Sequence, residues 1–354
     1  FRHMASSTPQ ILVTGGTGFV GSHTVVELLQ AGKDVVIVDD LSNSSAKVID
    51  RILTIVGLPE KSPRLVFYEL SLMDYAGLLK VFEENPRIES VIHFAGLKAV
   101  GESVAQPLRY YEINLMSSIN LLKAMDAHNV TKLIFSSTAA LYGEPAVSPI
   151  TEETPTDPKS PYAECKIMIE VFMRDFYRTN PTRWHFGVLR YFNPCGAHES
   201  GLIGEDPNGT PQNLMPFIAK VAGGKLPLLT IFGDDYPSRD GTAVRDYLHV
   251  VDLAKGHILA LNKLAEKPQY FLYNLGSGTG TTVKEMVAAF EKACGFKLPT
   301  KMGARRAGDV PILVADPAAA QRDLGWKITL DVDQMCVDLW KWQTQNPDGY
   351  NTKN

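Results

Sequence analysis

The sequence predicts an α/β protein, a doubly wound parallel sheet followed by a smaller C-terminal α/β domain. Three observations lead there. Short apolar runs alternate with amphipathic stretches over roughly the first two hundred residues. The runs are apolar throughout rather than alternating, as expected of parallel strands covered on both faces. A glycine-rich turn joins the first run to the first amphipathic stretch, and a second run follows, all within about thirty residues, the length of a βαβ unit.

Taken in order, Ile11–Val13 is a short apolar strand. A glycine turn follows, then an amphipathic helix to Leu29, then the strand "DVVIVDD" (34–40). "RLVFYEL" (64–70) and "SVIHFAG" (90–96) read as strands, with the helix "DYAGLLKVFEEN" (74–85) between them. "NLMSSINLLKAMDAHN" (114–129) is a longer helix, and "KLIFSST" (132–138) another buried strand. "YAECKIMIEVFMRDFYRTN" (162–180) is a long helix and "HFGVLRYFN" (185–193) the strand after it. Past Gly196 the texture changes. "GAHESGLIGEDPNGTPQN" (196–213) is a long loop rich in Gly, Pro and Asn, and loops of that length in a compact domain are usually functional. Shorter elements follow at 216–224, 250–264 and 282–295. The run "YFLYNLG" (270–276) is a candidate to return to the first sheet. This divides the chain into a dinucleotide-type domain over 9–195 and a smaller domain over 196–350. Residues 1–8, opening "FRHM", read as a tag remnant or disordered N-terminus.

Composition narrows the function. The 354 residues are 45% apolar and 21% charged, with a net charge of −4. A mildly acidic chain without blocks of like charge is a poor general binder of nucleic acid or anionic membrane. No apolar run is long enough to span a bilayer. Cys165, Cys195, Cys294 and Cys336 are scattered, with no paired spacing, so neither a disulfide framework nor a metal site is expected. They read as reduced thiols of a cytoplasmic protein.

Gly15, Gly18 and Gly21 form G-x-x-G-x-x-G between a strand and a helix, the context in which such a pattern has meaning. The turn needs a residue that tolerates positive φ, and a pyrophosphate can approach only where a side chain is missing. The helix start then offers free N–H groups and the positive end of its dipole. Asp39 ends the second strand, where a carboxylate can accept from both adenosine ribose hydroxyls and would repel a 2′-phosphate. NAD is therefore favoured over NADP. The alternative roles are a packing turn and a strand-end cap.

Tyr162 and Lys166 are spaced to share one helical face, directly after Pro161. An ammonium beside a phenol is expected to lower the phenol's pKa. A phenol so tuned can take a proton from an alcohol while hydride leaves the same carbon. Ser136, Ser137 and Thr138 end a buried strand whose carboxyl edge should face the ligand crevice. Thr138 is the choice for the hydroxyl that holds the substrate oxygen. Y-x-x-x-K alone is a chance match in many chains; with the glycine turn and the hydroxyl cluster it is not.

These motifs resemble those of the extended short-chain dehydrogenases/reductases, and within them the UDP-glucose (UDP-galactose) 4-epimerase family. The likeness runs from about residue 10 to about 350. It is carried by "VTGGTGFVGSH", "HFAGLKAVGESV", "PYAECK", "LRYFNPCGAHESGLIGEDP", "NLMPFIAKVA", "GTAVRDYLHVVDLA", "YNLGSGTGTTV" and "WKWQTQNPDGY". The resemblance implies a Rossmann-type NAD-binding domain, a UDP-sugar-binding domain and an isomerase that inverts C4 of the sugar through a 4-keto intermediate. It casts Tyr162 as the base at the sugar 4-OH, Thr138 as the bond to the 4-oxygen, and Lys166 as the group that tunes the phenol and holds the nicotinamide ribose.

The same resemblance assigns the remaining contacts. Gly15, Gly18, Phe19, Val20 and Gly21 would border the cofactor, with Asp39, Asp40, Asn43 and Ser44 around the adenosine and Ser71 and Leu72 at the adenine. Phe94, Ala95, Gly96 and Lys98 would line the pyrophosphate and nicotinamide side, with Asn114, Ser136 and Tyr191 nearby. Phe192, Asn193 and Lys98 would meet the substrate. Asn213, Leu214, Thr230, Phe232 and Tyr247 would hold the uridine. Arg245, Arg306 and Asp309 would take the pyrophosphate and uridine ribose, since guanidinium forks fit phosphate oxygens. Leu313 stands where the family tunes room for the sugar's C2 substituent. Plain UDP-sugars should turn over faster than UDP-GlcNAc and UDP-GalNAc.

Two departures from the family pattern stand out. Ser71 replaces an aspartate expected at the adenine amino group and would accept that bond more weakly. Glu164 and Cys165 replace small and basic residues on other helical faces, where no catalytic effect is expected. A nucleotide-sugar 4,6-dehydratase, the nearest rival, needs an acid/base pair after the hydroxyl residue; this chain has Ala139 and Ala140. The resemblance also implies a homodimer through a four-helix bundle. Its candidates are the helices near 114–127 and 162–178, with Met168, Val171, Phe172 and Asp175 at helical spacing.

Overall fold

The computed structural model describes residues 8–305 and 309–351. The first part of the chain alternates strand and helix. It runs β1 (Gln10–Thr14), α1 (Phe19–Gln30), β2 (Asp34–Asp39), α2 (Lys47–Ile55), β3 (Leu65–Glu69), α3 (Tyr75–Glu84) and β4 (Ile88–His93). Then come α4 (Val100–Ala105), α5 (Pro107–Ala127), β5 (Lys132–Thr138), α6 (Pro161–Thr179) and β6 (His185–Tyr191). The later part holds β7 (Asn193–Cys195), α7 (Leu214–Ala222), β8 (Leu229–Phe232), β9 (Val244–His249), α8 (Val250–Glu266) and β10 (Gln269–Leu275). It closes with β11 (Gly280–Thr282), α9 (Val283–Cys294), β12 (Thr300–Gly303), β13 (Ile312–Leu313), α10 (Ala318–Leu324) and α11 (Val332–Gln345).

Seven strands form one parallel sheet in the order β10-β6-β5-β4-β1-β2-β3. Its β1 and β2 are buried at every residue, as unbroken apolar runs require. Successive side chains take opposite faces. Ile11 and Val13 join a core with residues of α1 and α8, whereas Leu12 joins one with residues of α3, α5 and α6. Chain direction across the sheet reverses between β1 and β4, so the crevice at their carboxyl ends is the expected ligand site.

The run 270–276 does return to the first sheet, as β10 beside β6. Its companion α8 packs with α1 on one face. The rest of the later part builds a smaller sheet, β11-β9-β13 with β7 on β9, and a two-stranded pair, β12-β8. Where the sequence places a helix from Asn114, α5 begins at Pro107, in the first turn, where a missing N–H costs nothing. Among the described residues no helix is long and apolar enough to cross a membrane. All four cysteines carry free thiols.

Candidate active site

A cavity of about 530 Å³ runs along the carboxyl ends of the strands and is lined by both parts of the chain. Its floor begins at the glycine turn. Gly15 has φ of +70° and donates to the Val38 carbonyl at 2.8 Å. A Cβ there would lie 2.7 Å from the Ala95 nitrogen. A Cβ on Gly21 would lie 2.2 Å from the Gly15 carbonyl oxygen, so only glycine lets α1 seat against the turn. Gly18 caps α1 with no side-chain bond, leaving the first N–H groups directed at the cavity. Phe19, Val20 and Gly21 line it with them.

Asp39 fixes the neighbouring rim. Its carboxylate accepts from the Thr17 N–H at 3.1 Å, the Leu41 N–H at 3.0 Å and the Ser44 hydroxyl at 3.0 Å. Asp40, Asn43, Ser44, Ser71 and Leu72 line the same end. Phe94, Ala95, Gly96 and Lys98 form the next stretch of wall. Asn114, expected at the sugar and cofactor, is buried and absent from the wall. Its amide clamps the loop behind it, accepting from the Leu97 N–H at 2.8 Å and donating to the Leu97 carbonyl at 3.1 Å.

Local sequence places the reacting groups. Ser160 caps α6 by accepting from the Ala163 N–H at 3.3 Å, and Pro161 opens the helix. Tyr162 therefore lies in the first turn and Lys166 one turn on. Both face Ser136 and Thr138 at the carboxyl end of β5, and all four line the cavity. Thr138 is the neighbour that favours the ionised Tyr162 phenol, and its hydroxyl oxygen accepts from the Ala140 N–H at 3.1 Å. Lys166 donates to the Ser136 carbonyl at 2.8 Å, and its ammonium lies 5.9 Å from the Tyr162 ring centroid.

The expectation of a lysine-lowered phenol needs correcting. Burial pushes the Tyr162 phenol up, Thr138 only partly offsets this, and Lys166 is not among the causes. The ammonium is directed at a backbone carbonyl, and burial lowers the Lys166 pKa to about 8. Tyr191 closes this wall. His257 presents Nδ1 to the Leu253 carbonyl at 2.9 Å, so Nδ1 carries the proton and Nε2 accepts the Tyr191 hydroxyl at 2.5 Å.

Phe192, Asn193, Asn213, Arg245 and Leu313 line the far end. Arg245 and Leu313 are register partners across β9 and β13. Arg245 also pairs with Asp309, which accepts from the Tyr236 hydroxyl at 3.3 Å. Asp309 is itself off the wall, as are Leu214, Thr230, Phe232 and Tyr247. Thr230 and Phe232 sit on β8, paired with β12, while Tyr247 is buried in β9. Arg306 lies outside the described residues.

Several wall residues escape the sequence reading, among them Thr17, Arg109, Glu205 and Tyr350. Glu205 pairs with Lys98 across the cavity at 3.1 Å. Gly204 and Asp206 anchor Tyr350 through its hydroxyl and N–H. The signal for Glu205 was the long glycine- and proline-rich loop over 196–213, which implies function without saying which side chains serve it; Thr17, Arg109 and Tyr350 reach the wall through tertiary packing.

A family model described as GDP-mannose 4,6 dehydratase matches residues 12–339. The UDP-glucose 4-epimerase of Bacillus subtilis is 52% identical over 342 residues, covering 97% of this chain and 99% of that protein. UDP-glucose 4-epimerase 2 of Arabidopsis thaliana is 50% identical, covering 97% of each. The crystal structure of the Bifidobacterium longum UDP-glucose 4-epimerase, a complex with NAD+ and UDP, superposes with a TM-score of 0.91 at 50% identity, covering 96% of this chain and 99% of that one. With a parallel sheet switching direction over a glycine turn and a Thr-Tyr-Lys set at its edge, this chain belongs to the UDP-glucose 4-epimerase family of extended short-chain dehydrogenases/reductases.

Proposed function

We propose that the protein interconverts UDP-galactose and UDP-glucose by inverting C4 of the sugar, with NAD as resident cofactor. The observation that carries this is the meeting of Thr138, Tyr162 and Lys166 with the glycine turn in one cavity. The residues fit the cofactor. The turn has no Cβ where a pyrophosphate would lie, and the Asp39 carboxylate stands at the adenosine end. When bound, NAD supplies the two-electron acceptor for oxidising C4 and the donor for reducing it again.

The chain's residues handle the proton and the orientation. Tyr162 takes the proton from the sugar 4-OH and returns it to the same oxygen after the keto sugar has turned its other face for reduction. Thr138, which favours the ionised phenol, holds the same sugar oxygen. Lys166, anchored on the Ser136 carbonyl, presents its positive charge beside the phenol when the cofactor and substrate are in place. Arg245 and Asn213 at the far end suit a diphosphate and a uracil, fixing UDP while the sugar turns. The other residues on the wall keep the roles inferred for them, Asn114 acts through the 96–98 loop, and Asp309 acts through its pair with Arg245. Ala139 and Ala140, next on the wall after Thr138, offer no second acid/base pair, which argues against dehydration.

We divide the labour between 9–195, which carries NAD, and 196–350, which carries the UDP-sugar, with α8 and β10 interleaved into the first part. For assembly we infer a homodimer through a four-helix bundle. Exposed apolar side chains on α4, α5 and α6 support this, among them Val104, Leu108, Met116, Met168 and Val171. Free thiols and the absence of a spanning helix among the described residues fit a cytoplasmic protein. The direct test adds UDP-galactose to purified protein. Formation of UDP-glucose, with a transient rise in reduced-nicotinamide absorbance, supports the reading; no conversion by NAD-loaded protein overturns it.

A further inference from the structure

Behind the strand end that carries Ser136 and Thr138 lies a buried charged group that the mechanism above does not use. Glu170 stands one turn past Lys166 on α6 and is 4% exposed, and Arg190 on β6 is 5% exposed. The guanidinium grips the carboxylate with two N–H groups, at 2.6 Å and 3.1 Å. Ser137 donates to the same carboxylate at 2.5 Å. Arg190 reaches on to the Tyr142 hydroxyl at 2.9 Å, which donates to Asn274 at 2.7 Å.

Removing two charges from water is costly, and well-packed apolar residues of similar volume often join a helix to a sheet as well. The retained pair therefore points to a task that apolar packing cannot perform. Its neighbours suggest one. Ser137, held by Glu170, sits between Ser136, whose carbonyl takes the Lys166 ammonium, and Thr138, which lines the cavity with Tyr162.

The groups facing Lys166 are few. On its own helix these are Tyr162, Cys165 and Glu170. From β5 come only the Ser136 carbonyl and the Phe135 ring. His93 on β4 is kept neutral by burial and is bonded to Thr14 and Ser118. Arg190 and Tyr191 stand on β6, paired with β5. Burial pushes the Cys165 thiol up to about 11, so it is neutral. Burial lowers the Lys166 pKa, and Cys165 and then Glu170 oppose this; with the thiol neutral, Glu170 is the anion of the two, one helical turn away.

We propose that Glu170, locked by Arg190, is a positioning residue of the reaction: it ties the 136–138 strand end to α6 and keeps Lys166 charged beside Tyr162. This rests on the epimerase reading. Two substitutions of opposite sign test it. Glu170→Gln keeps the shape but leaves the Arg190 cation unpaired, so Lys166 should lose its proton more easily. Arg190→Gln leaves the Glu170 anion unpaired, so Lys166 should hold its proton longer. In the holoenzyme, the alkaline limb of kcat with UDP-galactose should move down by about one pH unit in Glu170→Gln and up in Arg190→Gln. About a tenfold loss of kcat is then expected for Glu170→Gln above the wild-type limb, with KM little changed.

A readout independent of turnover is the pH profile of Lys166 labelling by an amine-directed reagent, located by mass spectrometry. It should shift in the same two directions, because only the neutral amine reacts. Lost activity with unmoved limbs and unmoved labelling in whichever variant folds would reduce the pair to a structural one and overturn the proposal. A wild type that labels as expected but does not epimerise would sink the epimerase reading instead, leaving the labelling profiles to decide the wiring.

Discussion

Tyr162 is the residue on which the chemistry turns. Tyr162→Phe removes one hydroxyl and keeps the ring that fills the wall. It should retain cofactor and UDP-sugar binding and lose turnover by about 10²–10⁴-fold, the usual worth of a general acid/base. Steady-state kinetics beside cofactor content measures both. Lys166 sets the pH dependence. Its pKa is lowered from 10.5 to about 8, and the mechanism needs the charged form, which exists below that value. Activity should therefore fall as pH rises through about 8, and a limb near an ordinary lysine's value would contradict this. Leu313, on the wall beside Arg245, is the candidate gate for the C2 substituent. Leu313→Tyr should suppress UDP-GlcNAc and UDP-GalNAc while sparing the plain sugars, a difference of about 1–3 kcal/mol. An unchanged ratio of the two kcat/KM values would remove Leu313 from that role. The residues legible in sequence were those held by local spacing: the capped pair Tyr162 and Lys166, the glycines and Asp39. Glu170 with Arg190, and Lys98 with Glu205, were not legible. Tertiary packing brings each pair together, α6 onto β6 in the first and the loop after β4 onto the 196–213 loop in the second.

At the scale of elements, the seat of α1 on the glycine turn is the most exacting contact. Gly21→Ala would drive a methyl into the Gly15 carbonyl oxygen, so helix and turn must part. Overpacking of this kind costs about 1–3 kcal/mol. The variant should purify with a lower melting temperature and with little cofactor, and full cofactor content would contradict the cradle. The strands of the large sheet were readable because burial on both faces writes them as continuous apolar runs. In the later part α7, α8, α9 and β10 were legible, but the short strands were not. β13 spans two residues and β12 is mostly exposed, so neither leaves a periodic signature. The early start of α5 was hidden by Pro107, which reads as a break but serves as a helix opening. Asn114 shows a different limit, since the family resemblance implied ligand contact while its place on α5 directs it at the loop backbone.

Over the whole molecule, three deeply buried histidines tie stability to pH. Burial lowers His23 and His93 from 6.5 to about 3, and His257 to about 4. Each folded value lies below the unfolded one, so the unfolded chain binds the extra proton. Their contribution is fully present above pH 6.5 and is lost as pH falls toward 4, because only the unfolded chain takes up the protons there. Denaturant midpoints should drop steeply between those values, and a flat profile would contradict the assignment. The apolar face on α4–α6 should keep the protein dimeric at micromolar concentration, and light scattering that found a stable monomer would remove the four-helix interface. The central claim is that C4 is oxidised and re-reduced by one resident cofactor, with Tyr162 moving only the hydroxyl proton. UDP-galactose carrying deuterium at C4 tests it most directly. Oxidation and re-reduction by one resident cofactor should give UDP-glucose that keeps its deuterium at C4, formed more slowly than from the unlabelled sugar. Deuterium lost to solvent, a dehydrated keto sugar, or no UDP-glucose at all would contradict it.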